Sequence, residues 1–168
     1  MNFERPGWLG SHPATLRRRV KWGECDPAGV VYTPRFADYV AEALHAFLEG
    51  LLEGPLQKKL AELDLGTPAK AMQFVFHRSL WPEQEFDIEV RGGEIRTRSF
   101  DLDFHARDLE GRPVFDTRLS AVCVFHRVRE SRPIPQALRE RLDAYRAHFP
   151  APLALAQGTG AKAAGMAE

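Results

Sequence analysis

Asp26 is the residue of this chain best placed for catalysis. It stands in the stretch Trp22-Gly23-Glu24-Cys25-Asp26-Pro27-Ala28-Gly29-Val30-Val31-Tyr32-Thr33-Pro34, a carboxylate inside a turn rich in Pro and Gly. A long apolar-periodic segment follows at once. Thr33 has the side chain to cap that segment as a helix, and Pro34 suits the first helical position because it needs no amide partner. The first turn of a helix leaves N–H groups without intrahelical acceptors. A carboxylate beside such donors can attack an acyl carbon, or activate the water that does, while the N–H groups hold the oxyanion that forms. Gly29 shapes the turn and permits close backbone approach to a ligand. Tyr32 lies with Thr33 at the helix entrance. The same residues admit a plainer reading, in which Asp26 is a turn aspartate that accepts backbone amides next to Pro27.

The neighbouring polar residues are weaker candidates. Glu24 can orient Asp26 or raise its basicity, but it reads first as a solvated carboxylate at the rim. Cys25 lies between two acids that raise a thiol's pKa, which makes it a poor nucleophile and a structural residue. His77 and Ser79 follow the first β-patterned run after the helix and read as sheet residues within reach of a pocket. His45, His105 and His126 read as packing or surface residues, and the six histidines show no metal-ligand spacing. Arg96 and Arg98, two apart on a strand, share a face. Their planar forks suit phosphate, or alternatively the side chains of Glu94 and Asp101. Arg17-Arg18-Arg19 reads as a solvated strand face or a subunit edge.

The elements that must position these groups follow from periodicity. A strand is expected over Ala14 to Trp22. From Pro34 the apolar residues Phe36, Tyr39, Val40, Ala43, Leu44, Phe47, Leu48 and Leu51 recur at helical spacing, as one broad stripe that packs deep against a sheet. Gly54-Pro55 stops this helix, and a short second one runs from Pro55 to Leu63. The period then becomes two: Met72, Phe74 and Phe76; after a Trp81-Pro82 turn, Phe86, Ile88 and Val90; after Gly92-Gly93, a bulge or turn, Phe100, Leu102 and Phe104. Glu110-Gly111 marks a hairpin. The run from Val114 to Val128 is apolar on both faces, as a central strand would be. After Pro133 and Pro135 comes a last helix with Leu138, Leu142, Tyr145 and Phe149 on one side. The order implies an α+β arrangement with the helices on one face of an antiparallel sheet. Residues 1–150 read as a single domain, opening on an irregular arm over residues 1–13. Residues 151–168, rich in Ala and Gly, read as a disordered or extended tail.

Composition narrows the function. The 23 Lys and Arg balance 23 Asp and Glu, which argues against nucleic acid as the main partner. Two cysteines, Cys25 and Cys123, are too few for a disulfide or metal framework. No apolar run is long enough to cross a membrane, and Met1 to Pro6 lacks a signal-peptide core. A cytoplasmic protein is expected.

The segment Trp22 to Tyr32 resembles the signature of the hotdog-fold thioesterases of the 4-hydroxybenzoyl-CoA thioesterase type, in which an aromatic-Gly-acid-x-Asp-x-x-Gly stretch precedes a central helix. Arg96-Thr97-Arg98-Ser99-Phe100 is similar to that family's basic-Ser-Phe strand segment. The resemblance implies a curved antiparallel sheet of about five strands wrapped around the long helix. It implies hydrolysis of an acyl-CoA to free acid and CoA without a cofactor, with Asp26 as nucleophile or general base. The backbone N–H near Thr33 would polarise the thioester carbonyl, Gly29 and Tyr32 would lie against substrate, and Arg96, Arg98 and Ser99 would lie near the CoA nucleotide. It further implies a homodimer or tetramer with sites at the subunit interface. Glu24 stands where some members carry Asp, and Thr33 where some carry an aromatic, which leaves aryl specificity open. Another branch uses a Glu on the helix, but Glu42 falls off the apolar stripe and ranks below Asp26. Two other functions fit the same scaffold: a non-catalytic acyl-CoA or acyl-carrier binding module, and a hydratase or dehydratase, for which the turn offers no neighbouring His.

Overall fold

The computed structural model describes Met1 and residues 7–149. In chain order these hold β1 (Trp8–Ser11), β2 (Ala14–Arg19), a single 3₁₀ turn (Trp22–Glu24), α1 (Arg35–Leu52), α2 (Leu56–Glu62), β3 (Leu65–Gly66), β4 (Ala69–Phe76), β5 (Glu85–Ile95), β6 (Ser99–Asp108), β7 (Pro113–Val122), β8 (Val124–Phe125) and α3 (Gln136–Arg146). The fold is α+β. Six strands form one curved antiparallel sheet in the order β1-β2-β5-β6-β7-β4, and β3 and β8 form a separate small pair.

Helix α1 lies in the hollow of the sheet because its stripe and the sheet's inner face are both apolar. Tyr39, Val40, Ala43, Phe47, Leu48 and Leu51 are fully or almost fully buried. They meet Phe86, Ile88 and Val90 of β5, Phe100, Leu102 and Phe104 of β6, and Phe115 and Leu119 of β7, which are buried to the same degree. Burying each such side chain contributes about 1.5–3 kcal/mol. Aromatic edges add direction: Phe36 meets Phe115 at 5.3 Å and Phe76 at 5.0 Å, both edge-on, and Phe47 meets Tyr145 of α3 at 4.8 Å. The Tyr145 hydroxyl accepts the Ala14 N–H at 2.9 Å and donates to the Val90 carbonyl at 2.5 Å, pinning α3 across β2 and β5.

The outer face of the sheet is polar but not open. Asp101, Asp103 and His105 alternate with the inner residues of β6 and are nonetheless buried, because long side chains lie over them. Arg96 grips Asp101 with both nitrogens at 2.9 Å, Arg118 grips Asp103 at 2.7 and 2.9 Å, and His105 Nδ1 meets Asp116 Oδ1 at 2.7 Å.

Three sequence expectations need correction. The N-terminal arm is not wholly irregular: β1 pairs with β2 and makes the sheet six strands wide, where about five were expected. Its short, Gly-containing pattern has no periodicity to betray it. The run from Val114 to Val128 does not continue as one strand. At Cys123 the N–H turns to the Arg98 carbonyl, and β8 peels away to pair with β3. The helix stop is made by Glu53, which takes the left-handed conformation (φ 58°) one residue before Gly54. The Gly92-Gly93 bulge and the Gly111 turn (φ 79°) lie where expected. The tail over residues 151–168 lies outside the described residues.

Candidate active site

The turn after β2 is built by backbone hydrogen bonds. Tyr32 N–H donates to the Glu24 carbonyl at 2.9 Å, Asp26 N–H to Val30 at 2.9 Å, and Gly29 N–H back to Asp26 at 2.9 Å. Cys25 and Val31 bridge antiparallel, and Val31 N–H ties the return limb to the Leu80 carbonyl at 2.9 Å. Gly29 sits near the tip with φ 79°, where an L side chain is strained. The space its Cβ would take is empty of other atoms of the chain, so within the described residues it is the backbone conformation, not a neighbouring group, that calls for glycine here.

Asp26 is half-buried, and its two oxygens have different surroundings. Oδ1 accepts the Ala28 N–H at 2.9 Å, an Asx turn. Oδ2 has no hydrogen-bond partner among the described residues. Asp26 lines two clefts. The first, about 310 Å³, is lined by Asp26, Thr33, Val30, Val31, Phe36 and Phe76 with His77, Arg78 and Ser79. The second, about 330 Å³, is lined by Gly23, Glu24, Cys25, Asp26, Pro27, Tyr32 and Arg35.

Thr33 does not cap α1 with its hydroxyl. Arg35 N–H already donates to the Tyr32 carbonyl at 2.8 Å and Phe36 N–H to Thr33 at 3.2 Å, so the chain is wound helically before Thr33 could act as a cap. Pro34 takes the capping position instead of the first helical one. The Thr33 N–H itself has no acceptor among the described residues, and Thr33 lines the same cleft as Asp26.

Glu24 is not a solvated rim group. Its carboxylate accepts Arg18 Nη2 at 2.6 Å, the Lys21 N–H at 2.8 Å and the Tyr39 hydroxyl at 2.8 Å. Burial works against its ionisation, but the Lys21 amide, the Tyr39 hydroxyl and Arg18 outweigh it and hold the group below the usual glutamate value. Arg18 therefore departs from the solvated basic run expected of it: it is half-buried and also pairs with Glu42. Burial, then the Glu24 and Asp26 charges, push the Cys25 thiol up, and burial pushes Cys123 to about 11.

Arg96, Arg98 and Ser99 do not meet Asp26 within one chain. Arg19, the last residue of β2, pairs with Glu85, the first of β5, so the Asp26 turn leaves the sheet at that end. The β5–β6 connection holding Arg96 and Arg98 lies at the other end of the ten-residue β6, on the order of 30 Å away at ~3.4 Å per residue. Arg96 is held by Asp101 and Glu94, and Arg98 bonds Ser131.

His77 lies one residue past the end of β4, hydrogen-bonded as expected, with Nε2 at 2.7 Å from Asp116 Oδ2, and it also borders the Asp26 cleft. Arg78, which the sequence did not single out, borders it too. The one available signal was that the period-two pattern ends at His77, so the next residues leave the sheet.

A family model described as the thioesterase-like superfamily matches residues 20–142. No curated protein sequence matches the chain. Among solved structures, a gentisyl-coenzyme A thioesterase is 26% identical, with a TM-score of 0.69 over 76% of this chain and 98% of that one. The 4-hydroxybenzoyl-CoA thioesterase of Pseudomonas sp. strain CBS-3 is 22% identical, with a TM-score of 0.69 over 76% and 96%. A Staphylococcus aureus protein solved in complex with CoA is 12% identical, with a TM-score of 0.77 over 89% and 93%. The last two likenesses speak to the fold, which is the hotdog fold.

Proposed function

The chain belongs to the thioesterase-like superfamily, and on that premise we propose that it is an acyl-CoA thioesterase, hydrolysing a CoA thioester to free acid and CoA. The observation that carries the reading is that Asp26, with one oxygen unpartnered, and Thr33, whose N–H has no acceptor among the described residues, line one cleft. In this reading Asp26 Oδ2 attacks the thioester carbon, giving an anhydride that water then cleaves to free acid and the restored carboxylate, or it takes a proton from the water that attacks directly. The Thr33 N–H holds the developing oxyanion, and CoA leaves as a thiolate, which needs no strong acid. Val30, Val31, Phe36 and Phe76 offer the acyl group an apolar wall. A CoA-borne substrate places the reaction in the cytoplasm.

The functional unit in this reading is a homodimer, or a tetramer of such dimers. Strand β4 is an eight-residue sheet edge with only Lys70 charged and with Phe76 half exposed. An edge of this kind is a ready template for a second copy. Antiparallel pairing of two β4 strands about a two-fold axis turns the partner's sheet end for end. Arg96, Arg98 and Ser99 of one protomer then come to the Asp26 end of the other, where they can meet the phosphates of CoA.

One observation favours a second reading. Asp26 Oδ1 is engaged within its own turn, as in a binding module whose aspartate only shapes the loop. A panel of aryl, short-chain and long-chain acyl-CoAs, followed by thiol release and by ultraviolet loss of an enoyl-CoA, separates the cases. Release of CoA with an equal amount of free acid supports hydrolysis. Binding without release overturns it in favour of the module, and enoyl loss without release in favour of a hydratase.

A further inference from the structure

We propose that Glu24 is a positioning residue, clamping the Asp26 turn to helix α1 and strand β2 so that the Asp26 carboxylate and the Thr33 amide keep one relative placement. The role in catalysis rests on the reading of Asp26 as the reacting carboxylate; the clamp itself does not.

Three donors converge on this one carboxylate: Arg18 of β2 at 2.6 Å, the backbone of Lys21 just ahead of the 3₁₀ turn at 2.8 Å, and Tyr39 of α1 at 2.8 Å. Tyr39 is fully buried, and burial and its Glu24 acceptor push its hydroxyl up, so it stays a donor throughout the working range. The Arg18 guanidinium lies 4.6 Å from the centre of the Tyr39 ring and also reaches Glu42, which closes the cluster. Side chains of Glu24 and Arg18 are each only 13% exposed, so these bonds are made largely away from competing water.

The backbone of Glu24 carries the restraint into the site. Its carbonyl accepts the Tyr32 N–H at 2.9 Å, next to Thr33, while its chain continues through Cys25 to Asp26. One residue thus anchors both limbs of the turn to the core. A carboxylate suits the task because it accepts several hydrogen bonds and donates none. The same bonds argue against Glu24 as the reacting acid. Both its oxygens are engaged, and it borders only the second cleft, whereas Asp26 borders both.

The test compares Glu24→Ala, Glu24→Gln, Tyr39→Phe and Asp26→Asn by steady-state kinetics, the pH profile of kcat/KM, and hydrogen–deuterium exchange. A misplacement of about 1 Å costs on the order of 10²-fold. Glu24→Ala is therefore expected to lose kcat on that order with KM changed less than about threefold. Glu24→Gln, which keeps acceptors for Tyr39 and Lys21, should recover most of the loss and keep the acid limb of the profile. Tyr39→Phe, which removes one contact only, should lose kcat by about three- to tenfold, within the range of a single hydrogen bond, and stands in should Glu24→Ala fail to fold. In Glu24→Ala the amides of Asp26, Val31 and Tyr32 should exchange at least tenfold faster while those of β6 and β7 are unchanged. Unchanged exchange in that turn, or wild-type kcat in Glu24→Ala, overturns the clamp. A Glu24→Gln protein that loses the acid limb and falls as far as Asp26→Asn overturns it differently, by making Glu24 the reacting group. Wild-type turnover in Asp26→Asn overturns the catalytic reading alone, because the exchange result stands without it.

Discussion

Replacing Asp26 by Asn and by Ala separates chemistry from folding, because the two oxygens of Asp26 have different work. Oδ1 holds the Ala28 N–H at 2.9 Å, and Oδ2 has no hydrogen-bond partner among the described residues. Asn keeps an oxygen for Ala28 and loses only the charge and the second acceptor. Ala loses both. The hydrogen bond contributes about 0.5–1.5 kcal/mol, so Asp26→Ala should lower Tm by roughly 1–6 °C, and Asp26→Asn by much less. Loss of a nucleophile or general base costs on the order of 10²–10⁴ in rate, which is about 2.7–5.5 kcal/mol in the barrier. Both variants should therefore lose turnover to a similar extent while differing in Tm. The assay is continuous release of free CoA thiol from the best substrate of the acyl-CoA panel, beside thermal unfolding of the same samples. If Asp26 serves only the turn, the ranking changes: Asn behaves as wild type and Ala alone is impaired. An Asp26→Asn protein with more than about a third of wild-type turnover refutes the catalytic argument, since general-base loss is worth far more than that.

Three further outcomes are expected. Tyr145→Phe leaves the buried Ala14 N–H and Val90 carbonyl without their shared partner, and should lower unfolding free energy by about 2–6 kcal/mol at ~1–3 for each orphaned group; a change below ~0.5 kcal/mol by urea titration refutes this. Light scattering should give a particle of twice 19.0 kDa or a multiple of it, and a monomer at assay concentration refutes the shared site through β4. Glu24, Asp101 and Asp116 all stand below the ordinary carboxylate value: burial opposes ionisation in each, and Lys21, Tyr39 and Arg18, or Arg96 and Ser120, or His105 and His77, outweigh it. A carboxylate depressed in the folded state contributes stability above its unfolded pKa and loses it as pH falls through the folded one. The urea midpoint should hold between pH 8 and 5 and fall below about pH 4, near the unfolded carboxylate values. Glu24→Gln should show a shallower fall, and a midpoint that instead drops between pH 8 and 5 would contradict these shifts.

Much of the architecture was legible because it rests on local rules. The spacing of Phe36, Tyr39, Val40, Phe47 and Leu51 allows one helix with one buried stripe, and those residues are the ones that reach the sheet. Alternation marked β4, β5 and β6 to within a few residues, and the bulge at Gly92-Gly93 and the turn at Gly111 followed from glycine itself. The Trp22 to Tyr32 stretch located the turn. Within that turn the details escaped. Whether Thr33 caps depends on where the Tyr32 carbonyl finds its donor, and Glu24 reads as a rim residue until Tyr39 and Arg18 are brought to it from α1 and β2.

Chain chemistry alone determined that a carboxylate precedes a buried helix in a Pro- and Gly-shaped turn, since backbone preference and apolar period act over a few residues. Strand order decided the rest. It put Arg96 and Arg98 at the far end of the sheet from Asp26, paired Arg96 with Asp101, and set His77, Arg78 and Phe76 beside the turn. Those neighbours are joined by contacts between residues distant in sequence, which only the packed sheet and helix bring together.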